Sequence, residues 1–205
     1  MPQLTMPRED FGQLLRDRRE CGADRYDEVW DGVYIMSPIA DNVHQAIATE
    51  LSAALLEVLQ RTVGRKVMAG TNVSDQDEHW TKNFRCPDVA VFLPGCKAED
   101  RGTHWFGGPD FAVEVISPED RSREKLDFYA SVGVKELLLI DRKPWRLELY
   151  RNCEGALLPV GVAEPGPTAL ILVSAVLPVS FQLIPAEPRP RIVVTQTVDG
   201  RTWTI

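Results

Sequence analysis

Two apolar runs of strand length, Phe111-Ala112-Val113-Glu114-Val115-Ile116 and Leu137-Leu138-Leu139-Ile140, flank a stretch with helical spacing. That stretch starts at Asp120 or Ser122, runs to about Val132, sets Leu126 and Tyr129 side by side on a helix surface and stops at Gly133. Strand, helix and strand in this order permit the two strands to lie parallel through a right-handed crossover. The leucine run does not alternate with polar residues, as expected of a strand covered on both faces. The unit points to an α/β or mixed α+β fold with a central sheet between layers.

The first run carries Glu114 in its middle. A second run, Arg85-Cys86-Pro87-Asp88-Val89-Ala90-Val91-Phe92, carries Asp88 at its start. A carboxylate inside a buried strand is unfavourable unless it is paired or holds a cation. Two of them on nearby strands suit a hard ion such as Mg²⁺, which takes oxygen ligands and keeps several waters. Each taken alone also suits a solvated strand end. Lys125 lies one or two turns into the intervening helix, either reaching the carboxylates beneath it or part-exposed to solvent.

Further elements surround this core. Met6 to about Arg19 reads as a helix with Pro7 in its first turn. Asp27 to Met36 reads as a hairpin turning at Asp31-Gly32 and ended by Ser37-Pro38. Asn42 to about Val63 is the longest helix, capped by Asp41 or Asn42 and stopped by Gly64. His44 falls on its apolar stripe with Ile47, Leu51 and Leu55, whereas Glu50 points away. An inward His in the first turn is either a hydrogen-bonded structural residue or a group that a site borrows. Lys66 to Val73 reads as a strand and Pro94 to Gly108 as a loop. Arg146 to Arg151 alternates, and short strands follow at Leu157-Leu158, Ala169 to Val173 and Val179 to Leu183. Residues 1–185 form one expected domain. Residues 186–205 follow as a stiff proline-rich linker and a hairpin around Asp199-Gly200.

The net charge of −7 argues against a broad, salt-driven nucleic-acid surface. It leaves room for a small basic cleft. Arg121, Arg123, Lys125 and Arg142, Lys143, Arg146 form two local basic clusters, either solvated or part of such a cleft. The four cysteines are scattered, with no CxxC pair, which fits neither a zinc site nor a disulfide framework. With no membrane-length apolar run and no apolar leader at Met1-Pro2-Gln3-Leu4-Thr5, a cytoplasmic protein is expected. There is no GxSxG, and Cys86 beside the carboxylate is read as a packing residue.

The pattern Pro87-Asp88, Val113-Glu114-Val115-Ile116-Ser117-Pro118, Glu124-Lys125-Leu126 with Tyr129, Gly133-Val134, Glu136 and Leu139-Ile140-Asp141 resembles the Uma-two family of endonucleases. That family belongs to the PD-(D/E)xK, restriction-endonuclease-like superfamily. The resemblance extends upstream through Asp31-Gly32 and Met36-Ser37-Pro38 to the helix near His44, over about residues 5 to 185. It implies a restriction-endonuclease-like αβββαβ core with a mixed central sheet, an extra N-terminal helix and hairpin, and extra C-terminal strands. It implies Mg²⁺-dependent hydrolysis of DNA phosphodiesters, with Mn²⁺ as a substitute. Asp88 and Glu114 would bind the ion with the carbonyl of Val115, Lys125 would orient the attacking water, and His44 would hold a water or a phosphate. The implied partners are DNA and, in a homodimer, a second copy of the chain, with no membrane contact. The chain departs from the pattern at Ile116, where the superfamily's local lysine would fall, and at Val33, where the family usually has an acid. Those departures motivate an alternative: a nuclease fold kept as a weak or inactive binding and assembly module.

Overall fold

The structure is a computed structural model, and it describes residues 8–37, 40–117, 121–166 and 169–205. Pro7, Pro38 and Asp120, read above as punctuation, and Pro118 of the family pattern lie outside these residues. The chain opens with α1 (Arg8–Glu20), the hairpin β1 (Glu28–Trp30) and β2 (Val33–Ile35), and α2 (Asn42–Val58). Next come β3 (Lys66–Ala69), β4 (Val73–Ser74), β5 (Phe84–Arg85), β6 (Val89–Phe92), β7 (Glu99–Asp100), β8 (Trp105–Phe106) and β9 (Phe111–Val115). A 3₁₀ turn at Ser122–Lys125 leads into α3 (Leu126–Ser131), followed by β10 (Glu136–Arg142), β11 (Trp145–Cys153) and β12 (Ala156–Ala163). The C-terminal strands are β13 (Leu172–Val173), β14 (Val179–Ile184), β15 (Arg191–Gln196) and β16 (Thr202–Thr204).

The central sheet runs β12-β11-β10-β9-β6-β3. Only β9 and β10 are parallel, paired from Phe111 with Glu136 to Val115 with Ile140; the other neighbours are antiparallel. α2, β3, β6, β9, α3 and β10 therefore follow the expected αβββαβ order. The sheet is covered on both sides, and this explains the runs without alternation. Val89, Val91, Val113, Val115, Leu138 and Ile140 pack with Ile47, Leu51 and Leu55 of α2 and with the C-terminal strands. Ala90, Phe92, Ala112, Leu137 and Leu139 pack with Phe128 and Tyr129 of α3. The strands β13-β14-β15-β16 form their own antiparallel sheet on the α2 side, with Phe181 stacked on Phe111 at 5.8 Å between centroids. The C-terminal hairpin thus joins the main core: Ile192 and Val194 are fully buried, and Ile205 nearly so.

A third sheet, β2-β1-β5-β4-β8-β7, is built from strands of two or three residues. Its first hairpin turns at Asp31 and Gly32, both at positive φ, with Glu28 opposite Ile35. Several boundaries differ from the sequence reading, among them four in elements of the site and the small sheet. α2 ends at Val58 rather than Val63: turns at Gln60 and Thr62 close its last carbonyls, and Val63 is 88% exposed, so no burial favours another turn. The helix expected from Ser122 opens as 3₁₀ and becomes α-helical only at Leu126. The strand expected over 66–73 breaks at Gly70, whose φ is +62°. The loop over 94–108 holds β7 and β8. No helix among the described residues is long and apolar enough to cross a membrane.

Candidate active site

Asp88 stands at the entrance to β6, after Pro87, where the chain leaves the small sheet for the central one. Both its oxygens are engaged. The backbone N–H of Val115 donates to Oδ2 at 2.7 Å, which ties Asp88 to the end of β9. His44 Nε2 lies 2.8 Å from Oδ1, and because a carboxylate only accepts, this ring nitrogen carries the proton. His44 Nδ1 is 3.3 Å from Ser117 Oγ. The imidazole can reach inward because Asp41 caps α2, accepting from the His44 N–H at 2.9 Å. Arg142 binds both Asp41 oxygens, at 2.8 and 2.9 Å, and with the His44 N–H holds that carboxyl well below its usual range, at about 2.

Glu114 points to the opposite face of β9, toward α3. It is 3% exposed, and Lys125 Nζ lies 3.0 and 3.1 Å from its two oxygens. The Tyr129 hydroxyl donates to Oε1, and Ser122 Oγ lies 3.5 Å from Oε2. Burial pushes the Glu114 carboxyl up to about 8 despite the nearby Lys125, and the negative charges of Asp88 and Glu28 act in the same direction. Burial likewise raises the Tyr129 phenol well above its ordinary range. Of the two placements open to Lys125, the structure has the one that reaches the carboxylates. Lys125 is 8% exposed, because the 3₁₀ turn lays its stem against the sheet and its ammonium meets carboxylates on both sides.

The second of those carboxylates, Glu28, was missed from the sequence. Its Oε1 accepts from Lys125 Nζ at 2.9 Å and from the Cys86 N–H at 2.8 Å; its Oε2 accepts from Trp30 Nε1 at 2.7 Å. Its position just before Val29 and Trp30 was a signal, but next to Asp27 and in a three-residue strand of a hairpin it did not look buried. Cys86 is buried as expected, and burial pushes its thiol up, which removes it as a nucleophile at neutral pH.

Glu28, His44, Asp88, Glu114, Val115 and Lys125 line one cavity of about 90 Å³, room for roughly three waters. All four sequence-derived side chains therefore meet there. Without a cation, burial favours the neutral form of Glu114; a divalent ion would favour its ionised form, and three carboxyl groups would then face that ion and one lysine. Among the described residues no set of three or more His, Cys, Asp and Glu side chains is arranged to hold a metal. A cation here would draw on the Asp88–Glu114 pair and backbone oxygen. That donor set fits Mg²⁺, which commonly takes one or two carboxylates and completes its shell with water and phosphate.

Of the two basic clusters, Arg123 bonds Asp141 and Glu148, and Arg121 pairs with Glu124 while its guanidinium lies 4.6 Å from the Trp30 ring centroid. Arg142 also donates to the Ile116 carbonyl at 3.2 Å, at the end of β9.

No curated protein matches the chain. Among solved structures it resembles the crystal structure of a putative nuclease belonging to DUF820 from Anabaena variabilis ATCC 29413, with a TM-score of 0.58 and 20% identity over 74% of this chain and 83% of that one. At that identity the likeness is one of fold, and it bears out the restriction-endonuclease-like architecture. The model of the Uma2 family, described as "putative restriction endonuclease", matches residues 8–186, leaving β15 and β16 beyond it. The chain belongs to the Uma2 family.

Proposed function

We propose that the protein is a metal-dependent endonuclease that hydrolyses DNA phosphodiester bonds at the Asp88–Glu114 cavity. The observation that carries this reading is the meeting of Asp88, Glu114 and Lys125, from three separate segments, on one small acidic cavity in a chain of this family. Asp88 and Glu114, with the Val115 carbonyl, are the residues that would hold Mg²⁺ or Mn²⁺. Such an ion, when bound, supplies Lewis-acid polarisation of a phosphate and a lowered pKa for water. His44 orients Asp88 through Nε2. Tyr129 and Ser122 orient Glu114. Lys125, a compact ammonium on the cavity wall, offsets charge that develops on the phosphate oxygens. Glu28 keeps that ammonium aimed at the cavity.

Single-turnover cleavage of DNA in Mg²⁺ tests this. Asp88→Asn keeps the shape of the side chain and is expected to lower the rate by about 100-fold or more. Lys125→Arg is expected to rescue poorly, because a planar guanidinium does not fit a space sized for an ammonium. Equal cutting by wild type and Asp88→Asn would trace the activity to another site or to a contaminant.

One observation favours the second reading, a nuclease fold without turnover: every oxygen of Asp88 and Glu114 already has a protein partner. Calorimetric titration with Mg²⁺ separates the two. Binding by wild type that disappears in Glu114→Ala supports the enzyme, and no binding by either supports the module.

A further inference from the structure

Beside the acidic cavity lies a larger one of about 410 Å³, within the range of small-ligand sites. The two share Ser117 as a wall. Arg123, Arg142, Lys143 and Arg189 line the larger one, with Asp41 and Asp141 as its acids and Trp145 as its aromatic surface. The acids are already committed: Asp41 to Arg142, Asp141 to Arg123 and Arg146. Lys143 has no carboxylate partner among the described residues, and Arg189 is only partly balanced, by the charge of Glu50. Lys143 is exposed, and Arg189 donates to main-chain oxygens of Pro190 and Ile205, at 3.2 and 3.4 Å. Its guanidinium stands 5.7 Å from the centroid of the Trp145 ring. An unpaired Lys143 and a partly balanced Arg189 next to an indole, in a chain of net charge −7, are a local gain of positive charge. A cationic groove with an aromatic platform is the chemistry that holds a nucleic-acid strand by phosphate and base together.

We infer that this cavity seats the nucleotide flanking the scissile phosphodiester, with Lys143 and Arg189 on its phosphate and the Trp145 indole against its base. The inference rests on the nuclease reading and adds to it a binding subsite in a defined place. The shared Ser117 wall lets one strand occupy both cavities at once. Arg142 links them, donating to Ser117 Oγ at 3.4 Å on one side and held by Asp41 on the other. Lys143 and Arg189 come from the β10–β11 turn and from the segment before β15, so the seat is assembled from distant parts of the chain.

The test is anisotropy of a fluorescein-labelled 12-nucleotide DNA single strand on the full chain, without divalent metal, at several salt concentrations. The variants are Trp145→Leu, Lys143→Glu with Arg189→Gln, and Lys97→Glu as an exposed control on the opposite side of the charge question. The double variant is expected to bind at least tenfold more weakly and to flatten the log-affinity against log-salt slope by about one to two. Trp145→Leu is expected to weaken binding with the slope unchanged, because it removes stacking and no charge. Lys97→Glu is expected to bind like wild type. Melting curves identify any variant that fails to fold, and Lys143→Glu alone then carries the test, since its side chain is exposed. Wild-type affinity and slope in the folded variants would overturn the subsite. Strand cleavage in Mg²⁺ that ignores these variants would remove the subsite and leave the nuclease reading. Binding that needs Lys143 and Arg189 without any cleavage would keep the subsite and remove the nuclease reading.

Discussion

Lys125 touches two carboxylates inside the protein, so its removal is felt first in stability. Lys125→Ala leaves Glu28 buried without its cation and lets Glu114 hold its proton to higher pH, so the change is expected to cost about 3 kcal/mol by urea denaturation above pH 8 and less at neutral pH. A part-exposed lysine would have cost almost nothing. Glu114 gives a second expectation. Its folded pKa of about 8 lies above the ordinary carboxylate value of 4.5, so between those two pH values the folded state holds a proton that the unfolded state has released. Stability therefore falls as pH rises through that window and levels off above it. Glu114→Gln is expected to lose this slope and to gain on wild type as pH rises toward 9. Denaturation of both proteins from pH 5 to 9, without divalent metal, checks it, and parallel curves would contradict it. Asp88, Glu114 and His44 were legible because each is a polar residue inside an apolar pattern, and Lys125 through its place on the crossover helix and the family resemblance. Glu28 was not, because its burial depends on β5 and on the 3₁₀ turn, both remote in sequence.

Among the elements, α2 and the parallel pair β9–β10 were legible from periodicity, and the small sheet was not. A strand of two residues such as β4 or β8 has no period to read. The break between β3 and β4 shows what such a short element does. At Gly70 the chain adopts φ +62°, donates its N–H to the Asp88 carbonyl at 3.2 Å, and passes so close to Tyr26 that a Cβ would sit 2.6 Å from the ring. Gly70→Ala is expected to destabilise by about 1–3 kcal/mol through strain and crowding combined. Because Gly70 also lines the acidic cavity, DNA cleavage should fall with it. Calorimetric melting beside the cleavage assay checks both, and an unchanged melting temperature would show that the turn yields easily.

For the molecule as a whole, the C-terminal hairpin is a structural member. Arg201 and Trp203 bond the two oxygens of Glu57 on α2, at 2.9 and 2.8 Å, and Ile192, Val194 and Ile205 fill the same core as that helix. Deleting residues 191–205 removes three buried aliphatic side chains, about 5 kcal/mol or more, which is comparable to the total stability of a domain. The shortened chain is expected to lose cooperative melting; a sharp transition near the wild-type temperature would overturn this. The hairpin was legible as a hairpin, but its packing partner was not, because α2 and β15 lie more than a hundred residues apart.

A seat of two cations in a body of net charge −7 also separates how fast a polyanion arrives from how firmly it stays. At about 0.01 M salt the Debye length is about 30 Å, so an approaching strand feels the whole repelling molecule; at about 0.1 M it is about 10 Å, and the local cations dominate the last approach. Added salt should therefore speed capture while shortening residence, and stopped-flow mixing would resolve the two rates with opposite trends. On the proposed reading the protein discriminates by patience: most strands are turned away at a distance, and only those delivered to the cleft are held.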